Sequence, residues 1–292
     1  MFRRSRVAIA VVTLVVGLAA PAAADQRPAA LDPPTPARFV ANLDLECFRT
    51  SEYTPPPLPA PIVLSHLNPV LADQPRWEIG RLGPRTQLCS PVAKNEVIPP
   101  KDVLEFVRYV DLSCYRVDGP RLQVPLVLSH LNPVLADLPR REVVMMAPET
   151  LCLPVLKNSA QPPAEVLELV RYLDLVCYSE TPQVPMGRKL LLTQLNPELA
   201  VIPPTTVLVQ ENRQLCVPVR KNDQQIPERV LEIVRWVDLE TYAIAAPDLR
   251  QIQLRLRHIN PLLVELPPES ATLLARETLA VPVAKNGKFP PG

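Results

Sequence analysis

The sequence predicts a mainly β protein, a tandem array of four small β-rich units of about 64 residues with short linking helices. Three observations predict this fold class. The same motifs recur four times, segments within each recurrence alternate apolar and polar residues as strands do, and three of the four recurrences carry one pair of cysteines. With 292 residues, 47% of them apolar, the chain can bury a large core.

Two markers define the repeat. "HLNP" at 66–69 and 130–133 returns as "QLNP" at 194–197 and "HINP" at 258–261, and a Pro-Val-x-Lys-Asn motif follows each copy. The predicted organisation is a signal peptide (1–24), a Pro/Ala-rich leader (25–37), unit 1 (38–100), unit 2 (101–163), unit 3 (164–227) and unit 4 (228–292). We use these unit numbers for the sequence ranges throughout.

The N-terminus predicts export. "MFRRSR" is a basic start, the apolar run after it is short for a bilayer span, and Ala22-Ala23-Ala24 offers a cleavage site, with the cut expected after Ala24. The expected location is secreted or periplasmic/cell envelope, with no transmembrane segment in the mature chain. The near-neutral formal charge of +1 gives no electrostatic basis for nucleic-acid binding.

Strands and helices follow from residue periodicity. In "IQLRLRHI" at 252–259, apolar residues alternate with Gln253, Arg255 and Arg257, which predicts a strand with one buried face. "DLSCYRV", "REVVMMAP" and "ETLCLPVLKN" are also predicted strands, and Pro154 in the last indicates an edge or a bulge. "PPKDVLEFVRYV" is predicted to be a helix with an apolar stripe, although its Val, Phe and Tyr residues leave a strand as the alternative.

The six cysteines of an exported protein should form disulfides. Unit 4 has Thr241 and Ala280 at both cysteine positions, and losing both together is what a bridge within each unit predicts. The expected bridges are Cys47–Cys89, Cys114–Cys152 and Cys177–Cys216. The rival pairing, Cys89–Cys114 with Cys152–Cys177, leaves Cys47 and Cys216 without partners. Unit 4 is expected to depend on its neighbours for stability.

Repeated polar residues are the candidates for a site. His66, His130, Gln194 and His258 share one position, and Asp44, Asp111, Asp174 and Asp238 share another. A metal site or a general base is one interpretation of both sets. The favoured interpretation is a hydrogen-bonding role for the first set, because Gln is not a usual transition-metal ligand, and corner contacts with backbone, Lys or Arg for the second. Lys94, Lys157, Lys221 and Lys285 precede the turn Asn and are expected to be solvated, and the Tyr after each cysteine is expected to pack beside the bridge.

The layout resembles a bacterial exported repeat module of unknown function, with an "LxCY" strand and a closing "LCxPVxKNG". The resemblance rests on Cys114-Tyr115, Cys152, Pro154-Val155 and Lys157-Asn158 with their counterparts in the other units, roughly residues 41–292. This chain departs from the module by its helix-like "VLELVRYL" segment and by the cysteine-free unit 4. The resemblance implies fold and compartment and provides no catalytic residues.

The sequence therefore predicts a non-catalytic secreted or cell-envelope scaffold that needs no cofactor and binds an envelope or extracellular protein or glycan. Even distribution of the same residues over four copies favours a binding or structural role over an enzyme. The alternatives are a secreted enzyme or inhibitor with a site between units, and a metal-binding array that uses the repeated His and Asp positions.

Overall fold

A computed structural model describes residues 31–292, which contain four short α-helices and thirteen β-strands. The predicted signal peptide and residues 25–30 of the leader lie outside the described residues. The helices are α1 (Pro36–Ala41), α2 (Lys101–Val107), α3 (Ala164–Val170) and α4 (Glu228–Val234). The strands are β1 (Leu45–Thr50), β2 (Ile62–His66), β3 (Trp77–Ile79), β4 (Arg85–Lys94), β5 (Leu112–Arg116), β6 (Val124–His130), β7 (Arg141–Lys157), β8 (Leu175–Thr181), β9 (Pro185–Gln194), β10 (Thr205–Lys221), β11 (Leu239–Ala245), β12 (Ile252–His258) and β13 (Glu269–Lys285).

Eight strands, two from each sequence unit, close into an antiparallel ring that we call the inner ring. Its order is β1, β4, β5, β7, β8, β10, β11 and β13, and β13 pairs back onto β1. Closure removes the unpaired edges that an open sheet of these strands would expose. Unit 4 is the piece that completes the ring, because β11 pairs with β10 of unit 3 and β13 pairs with β1 of unit 1.

The four short helices pack against one another around one end of the inner ring. Helices α2, α3 and α4 start just after a proline, whereas α1 starts at Pro36. Each helix buries apolar side chains, such as Val103, Phe106 and Val107 of α2. These side chains share a core with the ring's inward-facing leucines and cysteines. The predicted helix is therefore confirmed over the strand alternative, although Pro100 occupies the N-cap position and Asp102 lies in the first turn.

The remaining strands form an outer layer that ties units two apart in sequence. β2 of unit 1 pairs with β10 of unit 3, and β9 of unit 3 pairs with β4 of unit 1. In the same way, β6 of unit 2 pairs with β13 of unit 4, and β12 of unit 4 pairs with β7 of unit 2. The alternating burial predicted for β12 is confirmed, since Leu254, Leu256 and His258 are buried and the residues between them are exposed.

The turn asparagines reinforce these crossings. Asn222 adopts a left-handed conformation (φ 48°), its amide nitrogen donates to the carbonyl of Val63 (2.9 Å), and its side-chain oxygen accepts from the amide of Val63 (2.7 Å). Asn95, Asn158 and Asn286 have the same φ sign and the same pair of contacts. Each turn therefore fixes the position of an outer strand two units away.

Two predicted strands of unit 2 are one. "REVVMMAP" and "ETLCLPVLKN" form the single 17-residue strand β7, with irregular pairing near Pro148. Pro154 is inside this strand and not at an edge. It lies where the neighbour of β7 changes from β8, paired up to Cys152, to β12, paired from Val155. The missing N–H is tolerated there because no ladder bond is required from it.

The structure contains the three disulfides Cys47–Cys89, Cys114–Cys152 and Cys177–Cys216, the pairs predicted from the sequence. All six cysteines are buried and face the interior of the inner ring with Leu45, Leu112, Leu175 and Leu239. Thr241 and Ala280 of unit 4 lie directly opposite each other, like a cysteine pair. Among residues 31–292, no helix has the length and apolar character needed to cross a bilayer.

Candidate functional site

Every repeated Asp lies in a buried cluster with a Lys and an Asn. Around Asp111, the Lys157 Nζ lies 2.6 Å from one carboxylate oxygen, and the Asn196 side chain donates to the other oxygen (2.6 Å). Asp and Lys come from one unit, whereas Asn comes from the next unit. The equivalent clusters are Asp44–Lys94–Asn132, Asp174–Lys221–Asn260 and Asp238–Lys285–Asn68, so the four links run around the whole ring.

The prediction that the four lysines are solvated is wrong. Lys157 and Lys221 are 0% exposed, and Lys94 and Lys285 are 1% exposed. The reason is that Lys157 is the last residue of β7 and pairs with Leu256 of β12, so the turn begins one residue later than expected. The Asp positions do make the corner contacts with Lys that the sequence suggested.

Burial and pairing oppose each other in these clusters. Burial raises the pKa of Asp174 and lowers the pKa of Lys221, while the attraction between the two groups works against both shifts. At Asp238 the raised pKa is about 6, again because of burial. A buried pair of this kind contributes little net stability over an apolar pair, but losing one partner is costly.

The repeated His position contacts the repeated Tyr position two units away. The His258 Nε2 lies 3.0 Å from the Tyr115 hydroxyl, His66 lies 2.9 Å from Tyr178, and His130 lies 3.3 Å from Tyr242. The tyrosines do not pack beside the disulfides as expected. Tyr follows Cys directly, so it faces the opposite side of its strand, into the space between the inner ring and the outer layer.

Unit 3 has Gln194 in place of His, and the unit two positions away, unit 1, has Phe48 in place of Tyr. Without a tyrosine hydroxyl to contact, Gln194 donates to the carboxylate of Glu46. The two exceptions therefore occur at the two ends of one pair of positions, a pair that joins units 1 and 3. This coincidence is the one signal in the sequence from which the pairing of units 1 and 3 could have been found.

The three histidines are neutral at pH 7. Burial, with a smaller contribution from nearby cations, lowers the pKa of each of His66, His130 and His258 to about 4. Each ring is hydrogen-bonded to a phenol whose own pKa is raised by burial. A neutral imidazole held by a phenol is suited to fixing strand position and not to a standing positive charge.

A larger polar cluster surrounds Arg141, and the sequence did not indicate it. Arg141 contacts the Glu240 carboxylate and donates to the Asn212 oxygen (2.9 Å) and the Tyr242 hydroxyl (3.2 Å). Asn212 donates in turn to Glu180 (2.8 Å), whose pKa burial raises to about 7. The Arg141 side chain is 20% exposed, whereas the two carboxylates are 0–1% exposed.

Smaller versions of this cluster pair Arg85 with Glu269 (3.1 Å) and Arg276 with Glu46 (3.1 Å). These glutamates and arginines stand at positions that differ in residue type among the four units, so comparison of the copies could not select them. In each case a carboxylate is buried between the inner ring and the outer layer beside a single guanidinium.

The structure keeps the two candidate metal sets apart. The Asp residues contact Lys and Asn, whereas the His residues contact Tyr, and the nearest carboxylates to His130 and His258 belong to Glu240 (4.0 Å) and Glu269 (3.7 Å). Within residues 31–292, no group of three or more His, Cys, Asp or Glu side chains has the arrangement of a metal site. No protein-family model, curated protein or solved structure matches this chain.

Proposed function

We propose that this protein is a non-catalytic, exported scaffold of the bacterial cell envelope or extracellular space. The observation that carries the proposal is that the polar residues repeated through the chain are used internally. The Asp, Lys and Asn positions join neighbouring units, and the His and Tyr positions join units two apart. These contacts hold a shape and leave the outer surface for binding.

Export is supported by two features of different kind. The three disulfides indicate an oxidising compartment, where such bonds form and persist. The basic and apolar N-terminus with its Ala22-Ala23-Ala24 sequence adds a route to that compartment. The ligand that we propose is an envelope or extracellular protein or glycan, recognised by the surface of the folded chain.

The second candidate is an exported enzyme or inhibitor with a site between units. The Arg141 cluster favours it, because one guanidinium joins carboxylates of units 3 and 4 at the edge of the exposed surface. Glu180 with a pKa near 7 is also the kind of group that general acid–base catalysis uses. Against this, the two carboxylates are 0–1% exposed, so a substrate could not reach them in this conformation.

The test compares the exported chain with its Glu180→Gln variant. Both are immobilised and offered envelope proteins and glycans by crosslinking and by array, and the bound compounds are identified by mass spectrometry before and after long incubation. A scaffold captures the same unaltered compounds with both chains. Chemical conversion of a captured compound by the wild type and not by the folded variant would overturn the scaffold proposal in favour of the enzyme.

A further inference from the structure

The six cysteines form one continuous row around the interior of the inner ring. They occupy successive strands β1, β4, β5, β7, β8 and β10, in the order Cys47, Cys89, Cys114, Cys152, Cys177 and Cys216. The gaps between neighbouring disulfides are short. The Cys89 and Cys114 sulfurs are 3.9 Å apart, and the Cys152 and Cys177 sulfurs are 3.7 Å apart.

Those distances are van der Waals contacts between sulfurs of different disulfides. The strands that carry them are hydrogen-bonded neighbours, with Cys89 opposite Leu112 and Cys114 opposite Gln87. A disulfide bond between these two sulfurs requires them to come within about 2 Å of each other, and rotation of the cysteine side chains can bring them that close. Each inner cysteine of the row therefore has two possible partners inside the same fold.

The row is open because unit 4 lacks cysteines. Thr241 and Ala280 occupy the two strands between Cys216 and Cys47, and the Thr241 hydroxyl contacts the backbone of Gln214 (3.1 Å to its nitrogen). An open row of six has one pairing with three bonds. The shifted pairing has two bonds and leaves a thiol at each end, so the two pairings differ by two electrons and two protons.

We propose that this row is a thiol–disulfide exchange site for a small dithiol reductant, in which reduction at one end releases thiols at both ends. Cys216 ends the row and is 4% exposed, as Cys89 and Cys152 are, and the small cavity at this layer is lined by the six cysteines together with residues that include Gln87, Thr150 and Gln214. A thiolate of the reductant attacks the Cys216 sulfur, and the Cys177 thiolate leaves.

The displaced thiolate then passes the exchange along the row. Cys177 attacks Cys152 and forms the Cys152–Cys177 bond, and the Cys114 thiolate leaves. Cys114 attacks Cys89 and forms the Cys89–Cys114 bond, and Cys47 leaves and takes up a proton. The second thiol of the reductant resolves the mixed disulfide at Cys216, which yields a protonated Cys216 thiol and the oxidised, cyclic reductant.

The test is limited reduction of the full folded chain with about one equivalent of dithiothreitol, followed by an acid quench, because acid removes the thiolate that shuffles disulfides. Free thiols are alkylated with a reagent active at low pH and mapped without reduction. We expect alkylation of Cys47 and Cys216 in equal amounts, with crosslinked peptides that contain Cys89–Cys114 and Cys152–Cys177. Circular dichroism checks that the chain stays folded.

The matched control is the Cys114→Ala/Cys152→Ala variant, which removes the middle bridge and separates the two outer ones. Alkylation there should fall on Cys177 and Cys216, and Cys47 should stay bonded. The proposal is overturned if the wild type shows labelled Cys177 with Cys216 and otherwise unchanged bridges. Free thiols that appear only when the wild-type chain unfolds would also overturn the proposal. Both of these results are measured on the wild type, so they hold even if the variant does not fold.

Discussion

Replacing Lys221 by Met tests whether the buried ion pairs hold the fold. Met keeps most of the lysine stem and removes the ammonium, so Asp174 is left with the Asn260 hydrogen bond (2.7 Å) as its side-chain partner in a site that is 3% exposed. Removing one partner of a buried pair costs about 3–5 kcal/mol. Urea denaturation of the oxidised protein, followed by far-UV circular dichroism, measures this change in the free energy of unfolding.

A double-mutant cycle separates the pair from its surroundings. Asp174→Asn leaves the ammonium without its carboxylate, whereas the double variant with Lys221→Met removes both charges. The loss of unfolding free energy in the double variant should therefore be about 2–3 kcal/mol smaller than the sum of the two single losses. Lys189→Met is the matched control, since Lys189 is exposed and should change stability by no more than about 0.5 kcal/mol. If Lys221→Met lowers the free energy of unfolding by less than about 1 kcal/mol, as little as the control does, the reasoning is refuted and Lys221 is solvent-exposed.

Three further outcomes follow from contacts elsewhere in the fold. Glu180 has a folded pKa near 7, above its unfolded value, so its ionisation lowers the stability of the folded state as the pH rises from 6 to 8. In urea titrations, the free energy of unfolding of Glu180→Gln should therefore rise by about 1 kcal/mol relative to wild type between pH 6 and pH 8. The same difference between variant and wild type at both pH values would contradict this prediction. Tyr178→Phe removes the hydroxyl that contacts His66 and should cost about 1–2 kcal/mol, measured by the same titration; no loss would show that the contact is not stabilising. The double variant Thr241→Cys/Ala280→Cys should form a fourth disulfide, seen as a mass loss of two hydrogens. This disulfide should raise the free energy of unfolding by about 4 kcal/mol. A variant that keeps two free thiols would show that the opposed pair is not placed for bonding.

Local features of the fold were predictable because each has a short-range cause. Alternation along β12 reflects one buried face, and the apolar stripe of α2 reflects packing on the end of the ring. The disulfides followed from Thr241 and Ala280, since a bridge is lost as a pair. In these cases the residues that carry the signal lie in one element or in equivalent places of two units.

Long-range arrangement was not predictable from the same patterns. Four similar units do not reveal which unit pairs with which, so neither the closure of the ring by β13 nor the crossing of β2 to β10 was expected. Lys157 was misjudged for the same reason. Its partner Asp111 lies just before β5, and nothing next to Lys157 in the sequence shows that β12 covers it.

The crossing of outer strands also bears on how the chain folds. β2 of unit 1 has its partner in β10 of unit 3, and Leu45 of β1 has its partner in Ala280 near the C-terminus. An N-terminal half that emerges first therefore lacks the strands that cover it, and its edges stay open until the last unit arrives. Contacts so distant in sequence predict slow folding, with a period in which the incomplete sheet is open to aggregation.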